Sequence, residues 1–385
     1  MRALVIGGGI GGLCAARSLD RAGLDVAVFE KAASLAQIQV GGAIHVWHNG
    51  MRGLQKLGLA DDVQRRAGRA AAVERAEMRN RHGRLLTAWS VKEAEEELGA
   101  PTLGLMRPDL HRTLAAGVDS SRLQLGRRCV GFESDADGVS ARFEDGSEER
   151  GDVLIGADGL RSAVRGQLLG DTPPRFAGYA SWQAVAEFQA PTAPVGRFWI
   201  VWGPGARFLF YRVSAERVYW EGIFATEAGG SDPPNGRREA VQERFAGWVD
   251  PVPEIIAATE EQAISRTDSY DRPPAKRWGE GRVTLLGDAA HAMTNAAGQG
   301  ANQTIEDAVV LGSCLAGASD PAAGLREYES RRMKRTASVS TLAWNLSRMS
   351  RVKNPAAVAA RDRMLTVMFA TVGKRAQHKD MAYEF

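Results

Sequence analysis

Cysteine is scarce in this 385-residue chain, with three in all. Cys14, Cys129 and Cys314 are odd in number, far apart and without the spacing of a metal site or a redox pair. A disulfide framework and a cysteine-ligated metal site are therefore excluded, and the thiols read as buried groups in a reducing compartment. No apolar run reaches the ~18 residues that a membrane span needs. Basic blocks are missing as well: the net charge is only +3, which argues against a nucleic-acid partner. Met1 runs straight into an apolar strand and leaves no room for a signal peptide. The expectation is a soluble, cytoplasmic protein. There are no internal repeats or low-complexity tracts, and at this length two domains are expected.

What the chain does have is glycine in patterned places. The apolar segment Arg2-Ala-Leu-Val-Ile6 runs into Gly7-Gly8-Gly9-Ile10-Gly11-Gly12. Glycines 7, 9 and 12 fill a G-x-G-x-x-G pattern: the first permits a tight turn, the second lets backbone approach a pyrophosphate, and the third packs helix on strand. A helix follows to about Ala22 and ends at Gly23; then comes a second strand, Asp25-Val-Ala-Val-Phe29, ending in Glu30. An acid there accepts hydrogen bonds from both ribose hydroxyls of an adenosine. The site binds a dinucleotide, and this motif alone leaves open whether that is NAD or FAD.

Two further motifs bear on the choice. Val283-Thr-Leu-Leu286 leads into Gly287-Asp288-Ala289-Ala290-His291, and Gly298-Gln299-Gly300-Ala301-Asn302-Gln303 opens a helix. A carboxylate at a strand end suits a ribityl hydroxyl, and helix N-terminal amides suit pyrophosphate or the electron-rich edge of a flavin. In the middle lies Asp152-Val-Leu-Ile-Gly156-Ala157-Asp158-Gly159, followed by a short basic helix with Arg161 and Arg165. In this order and spacing the three motifs resemble the single-component FAD-dependent monooxygenases of the aromatic hydroxylase superfamily. The nearest branch holds urate hydroxylase, salicylate hydroxylase-like and zeaxanthin epoxidase-like enzymes. Val46-Trp47-His48-Asn49-Gly50, Met106-Arg107-Pro108-Asp109-Leu110, Phe176-Ala177-Gly178-Tyr179 and Leu325–Arg332 support the resemblance.

The resemblance implies FAD as cofactor and NADPH or NADH as a transient electron donor. It also implies insertion of one atom of O2, through a flavin C4a-hydroperoxide, into an electron-rich aromatic or polyene substrate by hydroxylation or epoxidation. The cofactor carries that chemistry, while the protein aims it and shields it from water. Residues implied to bind FAD are Gly7, Gly9, Ile10, Gly11, Gly12, Glu30, Lys31, Arg107, Val130, Asp158, Asp288, Gly298, Gly300, Ala301 and Asn302. On the substrate side Arg207 and Tyr219 match positions used by the urate branch. His45, in a loop the family sets against the flavin ring, is a candidate proton relay, and Arg161 with Arg165 is the candidate docking place for the donor. Ala292 and the Thr294-Asn295-Ala296 segment replace prolines usual in the family, and Ala296 stands where urate-hydroxylating relatives carry an acid. His48 replaces a frequent proline. The replaced loop prolines and the missing acid at Ala296 weigh against urate. Rival readings are a flavin-dependent halogenase, whose W-x-W-x-I-P signature is missing, an isoprenoid reductase, or a non-catalytic FAD-binding protein.

The expected fold is α/β: a Rossmann-like FAD-binding domain, an antiparallel substrate sheet and C-terminal helices. The FAD domain is expected to be discontinuous over 1–75, 101–172 and 277–320, with a hairpin between Arg127 and Phe143. Residues 76–100 and 173–276 form the substrate domain, where 176–188 and 196–226 alternate aromatic and polar residues, and 229–236 is a surface loop. Residues 321–385 form helices, with Val339, Leu342, Ala343, Leu346 and Met349 at helical spacing. Asn354-Pro355 caps the last helix, whose Leu365, Met368, Phe369 and Val372 are expected to pack on the flavin domain. The chain is expected to act as a monomer or homodimer.

Overall fold

The computed structural model describes residues 1–39, 41–232, 236–368 and 381–385. A five-stranded sheet takes the order Val283–Leu285, Val153–Gly156, Arg2–Ile6, Asp25–Glu30, Leu123–Leu125, and every neighbouring pair is parallel. Its three inner strands are short apolar runs buried along their length apart from Arg2 and Asp25 at the starts, as strands covered on both faces must be. Helix α1 (Ile10–Arg21) leaves the first strand at the glycine turn and covers the sheet together with α2 (Gly300–Leu315). The hairpin expected between 127 and 143 forms as Cys129–Ser134 and Val139–Phe143, extended by Glu148–Gly151.

A second sheet has seven strands, in the order Ser265–Asp271, Arg175–Glu187, Arg217–Ala225, Ala206–Arg212, Arg197–Gly203, Arg75–Asn80, Leu85–Ser90. All pairs are antiparallel except Arg75–Asn80 with Arg197–Gly203. Alternation divides its side chains cleanly. One face, with Trp182, Phe208, Phe210 and Trp220, packs against Val241, Phe245, Trp248 and Ile255 of the short helical segment beneath. The other face opens on a cavity of about 710 Å3 between the two sheets.

Two long helices close the molecule. α3 (Pro321–Ser350) packs on α2 and the 295–297 turn, and Asp320 caps it by accepting from the Ala322 amide. α4 (Pro355–Met368) is capped as expected, Asn354 Oδ1 accepting from the amides of Ala356 and Ala357. Its apolar stripe goes elsewhere than expected. Leu365 is buried with Met78, Leu86 and Trp202, so α4 packs on the seven-stranded sheet and not on the flavin-side sheet. The edge strand Leu85–Ser90 offers that stripe a nearer apolar surface. Phe369, Val372 and residues 233–235 of the expected 229–236 loop lie outside the described residues.

Candidate active site

The glycine turn is built as its spacing requires. Gly7 has φ +110°, a region glycine tolerates, and a Cβ on it would lie 2.4 Å from the Ala157 oxygen. On Gly12 it would lie 1.7 Å from the Gly7 oxygen, so helix and strand touch there. A Cβ on Gly9 meets no protein atom within 4 Å: it would point into the cavity. That cradle fits a pyrophosphate approaching bare backbone above the α1 N-terminus. Ile10 and Gly11 line the cavity. Glu30 is buried and accepts from the amides of Gly8 and Ala32, both at 2.7 Å. Its carboxylate has acceptor sites to spare for a ribose, but it also fastens the turn itself. Lys31 and Val130 are exposed near this end, on either side of the Glu30–Arg127 backbone bond.

The opposite end of the cradle is formed by Gly287, Asp288 and the 293–301 loop. Gly287 turns at φ +62°, and its amide donates to Asp307. Asp288 is exposed by way of the cavity onto which its side chain opens, with the fold around it on the other sides. Enclosure pushes its carboxyl above the usual range, and His291 and Arg107 pull it back. Arg107 faces the same cavity and also donates to the Ile38 carbonyl. Gly298, in the left-handed region, ends the 295–297 turn, and Gly300 and Ala301 open α2, where first-turn amides have no intrahelical acceptor. Asn302 is a clamp. Its Oδ1 accepts from the Trp47 amide and its Nδ2 donates to the carbonyls of His45 and Gly298, so only its backbone is left for a cofactor.

Behind this loop lies a buried charge network that sequence reasoning did not find. Arg332 donates to Asp307 at 2.7 Å and Glu306 at 2.5 Å, Arg335 donates to both Glu306 oxygens, and His291 sits 2.5 Å from Asp307. Asn49 Nδ2 donates to Glu306 and Gln299. Burial raises the Asp307 carboxyl, yet His291 and Arg332 outweigh it and hold the group below its ordinary value. The network fixes the turn carrying Asp288 and the first turn of α2 in one frame. Arg165 belongs to this support, since it is buried and donates to the carbonyls of Ala289 and Ala290. Those contacts turn one terminal nitrogen of Arg165 onto the turn that carries Asp288. Asp158 likewise spends one oxygen on the amides of Ala163 and Val164.

The substrate-side residues come together on the cavity face of the seven-stranded sheet. Arg207, Leu209 and Tyr211 alternate along one strand, Tyr219 and Glu221 along its neighbour, and Gln183 lies opposite Glu221. Arg207 is 2% exposed; its Nη1 donates to the Ala296 carbonyl at 3.3 Å, and its Nε and Nη2 have no hydrogen-bond partner among the described residues. Burial lowers its pKa, opposed by Tyr179 and Glu221. Tyr219 donates to Gln183 Oε1 at 2.8 Å. Glu221 is a further missed residue. It accepts from Asn295 Nδ2, whose Oδ1 in turn accepts from Tyr179 at 2.6 Å. Burial raises Glu221, and Arg207, Ser181 and Asn295 counter it. A carboxylate therefore stands beside the flavin-side loop although Ala296 carries none: the acid comes from the sheet. Alternation on a strand facing Arg207 was the signal that could have revealed it.

His45 is buried against the ring of Tyr211, centroids 3.6 Å apart, with Phe198 edge-on at 4.4 Å. Burial lowers its pKa to about 3, so the ring is neutral and behaves as part of the wall. Trp182 and Trp199 lie on the far face, away from the cavity.

These features have counterparts. A family model described as the FAD binding domain matches residues 1–343. The aurachin C monooxygenase/isomerase of Stigmatella aurantiaca is 37% identical over 367 residues, 95% of this chain and 94% of that protein. The FAD-dependent urate hydroxylase of Klebsiella pneumoniae is 38% identical over 336 residues, 87% and 86% of the two chains. The crystal structure of Klebsiella pneumoniae HpxO with FAD and uric acid superposes with a TM-score of 0.89 at 35% identity, covering 99% of this chain and 96% of the other. The chain therefore belongs to the FAD binding domain family and is a flavoprotein monooxygenase that works with FAD and NAD(P)H.

Proposed function

We propose that the enzyme inserts one oxygen atom into an electron-rich aromatic or unsaturated small molecule lying between the flavin and the seven-stranded sheet. In this reading residues 1–75, 101–172 and 277–320 carry FAD, 76–100 and 173–276 hold the substrate, and 321–385 close the cavity. FAD, when bound, supplies the oxygen chemistry; Gly9, Glu30, Arg107, Asp288 and the α2 amides would hold it. One observation carries the substrate assignment: Arg207 keeps two buried donor nitrogens unpaired beside the cavity. Unpaired buried donors are costly, so a ligand oxygen is their natural complement.

Arg207 would take an anionic or carbonyl oxygen of the substrate and favour an ionised phenol, because a nearby cation lowers such a pKa. Glu221, across the same face, would accept a hydrogen bond from an adjacent O–H or N–H. Tyr219 and neutral His45 would flank the ring and keep water away. Substrates named for the relatives, uric acid and 3-amino-4-hydroxybenzoate among them, are rings that offer both oxygen and N–H groups. The test is aerobic NADH and NADPH oxidation against phenols, purines, indoles and polyketide aromatics, with product mass. A gain of one oxygen supports the reading. Peroxide alone across the panel, or halide incorporation, overturns it.

A further inference from the structure

We propose that the substrate carries an extended apolar substituent, and that a trough across the seven-stranded sheet receives it. The inference rests on the reading above, in which the reacting ring lies at Arg207 and Glu221. Sheet register supplies the geometry. Gln183 pairs with Glu221, Glu221 with Leu209, Leu209 with Ile200, Ile200 with Met78, and Met78 with Thr87 on the edge strand. These residues form one row running straight across six strands. The first two are polar and the next three are Leu209, Ile200 and Met78, all lining the cavity. Three strand spacings separate Glu221 from Met78, about 14 Å.

A row of this kind would ordinarily be sealed by a packed helix, as the opposite face is by Phe245 and Trp248. Here α4 covers the Met78 end through Leu365, yet Leu209, Ile200 and Met78 still line the cavity, and the facing wall is apolar too: Val339, Leu342 and Leu346 of α3 and Met368 of α4. Along the row Gln183 and Glu221, with Arg207 beside them, supply the hydrogen-bonding groups at one end, and Leu209, Ile200 and Met78 supply none. A polar substituent laid along Leu209–Ile200–Met78 would lose its water without finding partners, whereas a hydrocarbon gains from the transfer. The cavity of about 710 Å3 takes in the flavin side as well, and the Leu209–Ile200–Met78 row is the part of it that lies away from the cofactor-holding glycines.

The holoenzyme with FAD is titrated with 4-alkylphenols from methyl to octyl, reading the perturbation of flavin absorbance. Affinity should rise about fourfold per added methylene and then level off once the trough is full. Met78→Trp, which fills the far end, should bring the plateau to a shorter chain without changing 4-methylphenol affinity; Met78→Phe is the milder version should the first not fold. Affinity independent of chain length, no perturbation by any phenol, or a rise that the Met78 variants leave intact overturns the proposal. Failure of the underlying reading has another signature: Arg207→Ala would then leave 4-methylphenol affinity unchanged, whatever the chain-length series does.

Discussion

The two ends of the cavity are made of different material. The cofactor end is built mainly from backbone: Gly7, Gly9 and Gly12 serve by lacking a side chain, and the α2 entry by its amides. The substrate end is built from side chains, with Arg207, Tyr219, Glu221 and Gln183 projecting from one sheet face. A backbone site has little freedom to change, because every substitution adds atoms where a ligand or a neighbouring strand must come. A side-chain site can be rewritten one residue at a time on an unchanged sheet. Glu221 is a side chain of this kind: it reaches the loop from a strand, bonded to Asn295, while Ala296 on the loop carries no acid.

The contrast can be broken at either end. The largest effect is expected from Arg332→Met, which removes the buried guanidinium that Asp307 and Glu306 share and leaves His291 on the one and Arg335 with Asn49 on the other. Breaking such a pair costs about 3–5 kcal/mol, so thermal melting should fall steeply and FAD should be lost with it; unchanged melting would mean that the network is dispensable. Gly9→Ala should act differently. No protein atom opposes the new methyl, so apo-protein melting should hold while FAD affinity drops by roughly 2–3 kcal/mol, the scale of an overpacking clash. Normal FAD titration of that variant would remove the backbone cradle from the account.

The smallest effect concerns His45. Its folded pKa of about 3 lies below the ordinary 6.5. Between those values the unfolded chain binds a proton that the folded ring refuses, so stability falls as pH drops below about 6.5. The loss is about 0.8 kcal/mol at pH 6 and grows with further acidification. His45→Phe should flatten that part of the stability–pH curve. An unaltered slope would mean that the ring is hydrated and free to protonate, as a proton relay would need.

The same difference of material explains what could be read from sequence. Backbone sites leave glycines at fixed spacing, so the 7–9–12 pattern, Glu30 and the Gly287-Asp288 turn were legible, and the parallel sheet with them. Arg207 and Tyr219 came from resemblance. Glu221 lies two residues from Tyr219 and so on the same strand face, but it becomes meaningful only when register sets it near Arg207 and Asn295 brings the loop against it. Arg332 was visible only as the end of the Leu325–Arg332 segment that supports the resemblance, because its partners sit one helix away at 306 and 307. The burial of α4 on the seven-stranded sheet was not readable, since an apolar stripe states that a helix packs without stating on what.

The most direct test of the account is the coupling ratio of Arg207→Ala, oxygenated product formed per NAD(P)H consumed, measured with a substrate from the aerobic panel and with bound FAD quantified in the same sample. The account predicts normal FAD content, a raised Michaelis constant and a coupling ratio shifted towards hydrogen peroxide. Wild-type coupling and wild-type substrate affinity would contradict it, and would leave Arg207 a buried structural cation.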